Sequence, residues 1–193
     1  AAGQQLTWQE RNDLAVAFIH MKKVKEGLEI LLQLEQQKSN QYEIAANLGT
    51  AFELLGDDKR ALQWIKTAID RNPYSHGGSE WIHVKILQAK LAMKEDKDWL
   101  SKNSILGITF GDQERPVPSQ QTIQDHTNKV HSLNEIRQHL GVQLQERISL
   151  VPSPDVIVAD LLMDMADLSA LTDAVEMSVL MNEMSLKYKP TNP

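Results

Sequence analysis

Cysteine is absent from this 193-residue chain. Its absence excludes a disulfide framework, a thiolate zinc site and a cysteine nucleophile. A positive surplus is absent as well: 20 Lys and Arg stand against 26 Asp and Glu, a formal charge of -6. Recognition of phosphate needs a basic surface, so no nucleic acid partner is expected. The short run Lys22, Lys23, Lys25 reads as a solvated turn. The longest apolar stretches are broken by Asp, Gln or Lys, so no membrane span is expected. There is no Gly-rich phosphate loop, no Gly-x-Ser-x-Gly elbow and no His-Glu-x-x-His pair, and the expectation is a non-enzyme without a cofactor. The chain opens Ala1-Ala2-Gly3-Gln4-Gln5 rather than on Met. That opening suits a mature form trimmed of a signal peptide and a periplasmic or otherwise extracytoplasmic location, with a cytoplasmic one as the alternative.

With 41% hydrophobic and 24% charged residues the composition is that of a globular protein. Its order lies in a repeat. From Tyr42, the series Ala45, Leu48, Gly49, Phe52, Ala61, Ile65, Ala68, Pro73 recurs one period of ~34 residues earlier as Leu14, Ala15, Phe18, Gly27, Leu31, Leu34, with Trp8 in the place of Tyr42. Leu48 and Phe52, like Leu14 and Phe18, stand three to four residues apart and line one face of a first helix. Gly49 and Ala15 are small where a second helix crosses; Ala61 and Ala68 are small on that partner, leaving room for Ile65. Gly56-Asp57-Asp58 combines a helix-ending glycine with an N-capping aspartate. Asn72-Pro73 stops the second helix. A third repeat begins with a helix from about Ser79 to Met93, but His83 occupies its small position and the second helix is lost in Lys94-Glu95-Asp96-Lys97-Asp98.

Beyond it, Ser104 to Phe110 is β-branched and apolar, yet no second strand is evident, so it reads as an extended linker packed on helices. Ser132 and Glu135 form a capping box ahead of Ile136, Leu140, Leu144 and Ile148. Ser153-Pro154 reads as an N-cap plus a first-turn proline opening a helix through Val156, Leu161, Leu162, Met165 and Leu168. Asp173 and Glu176 open a last helix running to about Tyr188.

The 8–93 segment resembles the tetratricopeptide-repeat superfamily. The segments His76-Gly77-Gly78-Ser79-Glu80-Trp81 to Lys85, Asn103-Ser104-Ile105-Leu106-Gly107, and Pro154-Asp155 with Val158-Ala159-Asp160-Leu161-Leu162 are similar to uncharacterised bacterial proteins of that kind, which implies no activity. The expected architecture is all-α. Two to three antiparallel helix pairs over 6–100 form an α-solenoid, 101–121 is an extended linker, and a C-terminal helical segment over 122–189 packs on the array as one unit with it. The superfamily implies a concave surface that holds peptides or protein segments. Its groove positions correspond here to Gln9, Asn12, Val16, Ile19 and His20, then Glu43, Ala46, Asn47, Thr50, Glu53 and Leu54, then Glu80, Val84, Leu87 and Gln88. Members that clamp a terminal carboxylate use Lys, Asn and Arg at several of these places. Asn12 and Asn47 remain but the cations are missing, so the mixed apolar and acidic lining suits an amphipathic or basic segment. The functional expectation is a scaffold module holding a protein or peptide partner.

Two alternatives come from other classes. His76, Glu80 and His83 fall at i, i+4 and i+7, a spacing for a metal ion in a carrier or metal-dependent enzyme. Gly77-Gly78 places His76 ahead of the helix, however, so Glu80 reads as first-turn charge and His83 as a packed core histidine. Met177, Met181 and Met184, with Met163 and Met165, could hold Cu(I), although thioethers more commonly fill cores. Asp160, Asp164 and Asp167 share a helix face that reads as solvated. A self-associating homo-oligomer is a third reading.

Overall fold

The computed structural model describes residues 6–111, 113, 115–172 and 175–190. Among these the regular elements are helices apart from one short hairpin, and the chain divides into two compact units, 1–75 and 76–193.

The first unit holds α1 (Trp8–His20), α2 (Val24–Gln37), α3 (Tyr42–Leu54) and α4 (Asp58–Arg71). Every boundary recurs after 34 residues: α1 and α3 start at 8 and 42 and end at 20 and 54, while α2 and α4 start at 24 and 58 and end at 37 and 71. Local chemistry sets these ends. Thr7 and Glu10 form a capping box at α1, Gly56 turns the chain out of α3 with φ +82°, and the Asp57 side chain accepts the Arg60 N–H to cap α4. Consecutive helices pack in antiparallel pairs, and α2 also packs on α3.

Small residues sit where the pairs cross. A Cβ on Gly27 would lie 2.8 Å from the backbone oxygen of Ala15, and one on Gly49 would lie 2.5 Å from the Ile65 side chain. Between repeats, Arg71 of α4 grips Glu35 of α2 with both terminal nitrogens, at 2.6 and 2.9 Å, and also donates to the Gln41 carbonyl. One expectation fails: Leu48 and Phe52 are buried as their spacing requires, but Leu14 is 41% exposed and Phe18 only half-buried. The face of α3 that carries Leu48 has α2 to pack on; no helix precedes α1 among the described residues.

The second unit holds α5 (Glu80–Glu95), α6 (Trp99–Lys102), β1 (Thr122–Gln124), β2 (Val130–Ser132), α7 (Leu133–Leu150), α8 (Val156–Ala170) and α9 (Val175–Tyr188). Its core is a continuous apolar cluster that includes Ile82 and Ile86, Ile136, Leu140 and Leu144, and Val158, Leu161 and Leu162. The 104–110 linker feeds Ile105, Leu106, Ile108 and Phe110 into that cluster without forming a strand.

Residues 122–132 are not helical as expected. Thr122 pairs with Ser132 and Gln124 with Val130 in an antiparallel hairpin. Its turn is organised by Asp125, whose carboxylate accepts from Thr127 N–H, Thr127 Oγ1, Lys129 N–H and His131 Nε2. Ser132 and Glu135 make the expected capping box. The Ser153–Pro154 peptide is cis and Pro154 lies outside the helix; Asp155 is the N-cap, its carboxylate taking the Val158 N–H, because its oxygen reaches an orphan amide that proline cannot serve. Asp173 lies outside the described residues. The α8–α9 pair is pinned by Ser185 Oγ, which donates to the Ala159 carbonyl at 2.7 Å, and by Asp155 N–H, which donates to the Tyr188 carbonyl at 3.0 Å.

Candidate functional site

Exposure sorts the predicted groove residues. In the first unit, Asn12, Ile19 and Glu53 are buried, as are Glu80, Val84 and Leu87 in the second. Val16, Glu43, Asn47 and Thr50 are partly exposed and His20 is exposed. Glu10, Leu14 and Ala17 are also exposed on α1, but one stripe recurs: Gln9, Asp13, Val16 and His20 on α1 are open to differing degrees, and one repeat later, on α3, Glu43, Asn47, Thr50 and Leu54 are partly so. Each set runs i, i+4, i+7, i+11 along one helix stripe, and the two sets are related by the same 34-residue shift as the helices.

The helices α1 and α3 touch, and Asn47 Nδ2 donates to Asn12 Oδ1 at 3.0 Å, so the stripes lie on neighbouring helices joined by an amide pair. Asn12 is thereby spent on packing, and Thr50 donates to the Ala46 carbonyl of its own helix. Asp13, missed in the superfamily carry-over, is the counterpart of Asn47 and is exposed. The stripe carries the carboxylates Asp13 and Glu43 and no Lys or Arg.

The His76 segment forms a different constellation in the second unit. His76 has a left-handed backbone, φ 49°, just ahead of α5. Its Nδ1–H donates to Glu80 Oε1 at 2.6 Å, Glu146 Oε1 lies 3.6 Å from the same nitrogen, and His83 Nδ1 lies 3.6 Å from Glu80 Oε2. Burial alone would push the Glu80 carboxyl up; the hydrogen bond from His76 and the adjacent His83 outweigh it and hold it at about 2. The Glu80 hydrogen bond raises His76 against the opposing effect of its own burial. Glu80 is thus the first-turn charge of α5 that was expected, and in addition a buried anion with two imidazole partners.

Helix α7 grips the same turn with residues at i, i+4 and i+7. His139 bonds the Gly77 backbone, Gln143 Nε2 donates to Ser79 Oγ at 3.0 Å, and Glu146 approaches His76. Trp81 closes the arrangement. Its Nε1–H donates to His139 Nδ1 at 2.9 Å, and its ring stacks on buried His131 at 4.5 Å. Burial and nearby His131 lower the pKa of His139, consistent with a neutral ring whose Nδ1 accepts.

The three residues singled out for a metal therefore do meet, but as a hydrogen-bonded network; among the described residues no group of three or more His, Asp or Glu side chains is arranged to hold a metal ion. The methionines disperse. Met165, Met181 and Met184 pack against the core, Met163 lines a surface pocket and Met177 is exposed. The Asp160, Asp164, Asp167 stripe is not solvated as expected: Asp164 is buried and the other two are partly so. Burial, reinforced by Asp160 and Asp167, drives the Asp164 carboxyl well above its ordinary range, and burial lifts Asp160 to about 6.

Comparison of the sequence with protein-family models and with curated proteins returned no match.

Proposed function

We propose that the first unit is a tetratricopeptide-type scaffold module that holds a cationic or amphipathic polypeptide segment along the paired α1 and α3 stripes. The observation that supports this most is the coincidence of two 34-residue regularities: helix boundaries and open positions repeat with the same shift. Packing alone accounts for the first. It leaves open why equivalent positions of α1 and α3 stay accessible, and a binding face along a solenoid supplies the reason. The stripe has two carboxylates and no cation, so its potential favours Lys- and Arg-bearing partners; Val16 and Leu54 add apolar contact.

The unit's other conspicuous residues are engaged in packing and inter-repeat ties, which leaves no acid, base or nucleophile arranged for chemistry among its described residues. A binding role is therefore favoured over catalysis. The metal-dependent alternative has no coordination set to stand on among the described residues.

The test is titration of isotopically labelled protein with synthetic amphipathic peptides of matched length, one lysine-rich and one glutamate-rich. Perturbed amide shifts are expected at residues 9–20 and 43–54 with the cationic peptide only. Asp13→Lys with Glu43→Lys should weaken that peptide by about tenfold or more while leaving the melting temperature near wild type, since each lost charge pair is worth roughly 1 kcal/mol. Equal binding of both peptides, no binding, or shifts confined to other helices would overturn the assignment.

A further inference from the structure

A pocket of about 250 Å³ lies in the second unit, remote from the His76 network in sequence and built by different helices. One face of α8 forms its floor with Val156, Ala159, Asp160 and Met163, at i, i+3, i+4 and i+7. Leu100 of α6 provides a further apolar wall, and exposed Lys189 and Pro190, just past α9, complete the rim.

Its polar content is sparse and of opposite sign. Asp160 places one carboxylate in the apolar surround, and its Oδ2 is buried with no hydrogen-bond partner. A buried acceptor without a partner is costly, and donors on a bound molecule can relieve that cost. Burial holds the carboxyl up near 6, opposed by a backbone N–H from Ile105 and by the Lys189 charge. One turn along α8, Asp164 presents a second buried oxygen without a partner. Lys189, which is exposed, brings an ammonium to the solvent-facing rim.

An apolar wall between an inner carboxylate and an outer ammonium is complementary to a small zwitterion with an aliphatic body. The size limits the choice. Ligand pockets usually run to ~300–1,000 Å³, so this one admits a single amino acid rather than a peptide. We propose that the pocket binds a free aliphatic α-amino acid of about leucine size, its ammonium on Asp160, its carboxylate on Lys189 and its side chain against Leu100, Val156 and Met163. This assignment is independent of the role given to the first unit.

The experiment is calorimetric titration of the full chain with L-leucine, L-leucinamide and isovalerate, with the Met163 methyl resonance as a local reporter. Leucine should saturate and shift that methyl. Leucinamide, which keeps the amine but lacks the carboxylate, should bind more weakly, and isovalerate should not bind. Asp160→Asn should weaken leucine by about tenfold or more, the loss expected for a charge-assisted hydrogen bond. Lys189→Gln should bring leucine and leucinamide to similar affinities. Asparagine is isosteric with aspartate and carries no buried charge, so a thermal melt near or above wild type will certify the Asp160→Asn fold. Failure of leucine to saturate in the millimolar range, or equal binding to wild type and Asp160→Asn, overturns the site. Leucinamide binding wild type as tightly as leucine overturns the zwitterion assignment in favour of a polypeptide N-terminus.

Discussion

At the scale of single residues, Glu80 governs the most. It is 4% exposed, carries its charge inside the second unit, and holds His76 in a left-handed conformation that a non-glycine residue adopts only when its surroundings insist. The sign of its pH effect follows from the two shifts. Glu80, held at about 2 against an ordinary 4.5, contributes stability that is complete above about pH 4.5 and is lost as pH falls through 2. His76, raised from 6.5, contributes stability that is complete below that value and is lost as pH rises through its folded pKa. The pair therefore stabilises most between about pH 4.5 and 6.5. Glu80→Gln should lower the melting temperature most inside that window, by the few degrees that roughly 1–3 kcal/mol represents in a chain of this size, and less on either side. Melting curves of both proteins from pH 3 to 9 check this; a pH-independent difference would show that packing, not charge, is what Glu80 supplies. Spacing singled out His76, Glu80 and His83, and the three do meet, but the fourth member, Glu146 from α7, is brought in by tertiary structure that no local pattern encodes.

At the scale of elements, the helix crossings set the constraints. Gly27 meets a backbone oxygen, which cannot retreat, and Gly49 meets Ile65, a buried β-branched side chain with little rotamer freedom. Gly141 of α7 meets only the terminal methyl of Met165, at 3.4 Å. Alanine gains up to about 1 kcal/mol over glycine in a helix interior, whereas overpacking costs roughly 1–3 kcal/mol. Gly27→Ala and Gly49→Leu should thus lower the melting temperature despite their better propensity, and Gly141→Ala should raise it slightly. A neutral or stabilising Gly49→Leu would mean that the α3–α4 crossing is looser than drawn. These crossings were legible in the sequence because residue size at a fixed period is a local signal. The hairpin was not: its strands are three residues each, and an alternation with a single buried residue per strand, Ile123 and His131, is too short to read. Asp160, Asp164 and Asp167 misled for a related reason. Their spacing marks a common face, but only the packing of other elements decides whether that face meets water. The open stripe of α1 and α3 was largely legible: the positions implied by the resemblance included Gln9, Val16, His20, Glu43, Asn47, Thr50 and Leu54 but passed over Asp13.

At the scale of the whole molecule, the second unit answers to pH through a series of shifted groups that runs from His76 to Asp167. Between pH 5 and 8 the balance there has a definite sign. Asp160, at about 6, and Asp164, well above its ordinary 3.8, are raised by burial, so the folded state binds protons that the unfolded state has released, and stability falls as pH rises. His76, also raised, loses its contribution over the upper part of the same range. His139, lowered by burial, works the other way, because its unfolded form takes up a proton below about 6.5 while the folded ring stays neutral. Glu146 and Asp167 are raised by burial as well, so five groups oppose one, and Glu80 stays ionised throughout. Amide hydrogen exchange, corrected for the intrinsic rate at each pH, should therefore give opening free energies that fall from pH 5 to 8 in α5, α7 and α8. Asp164→Asn removes the most deeply buried contributor and should flatten part of the slope in the second unit. A level second unit would show that its buried carboxyls are solvated in solution.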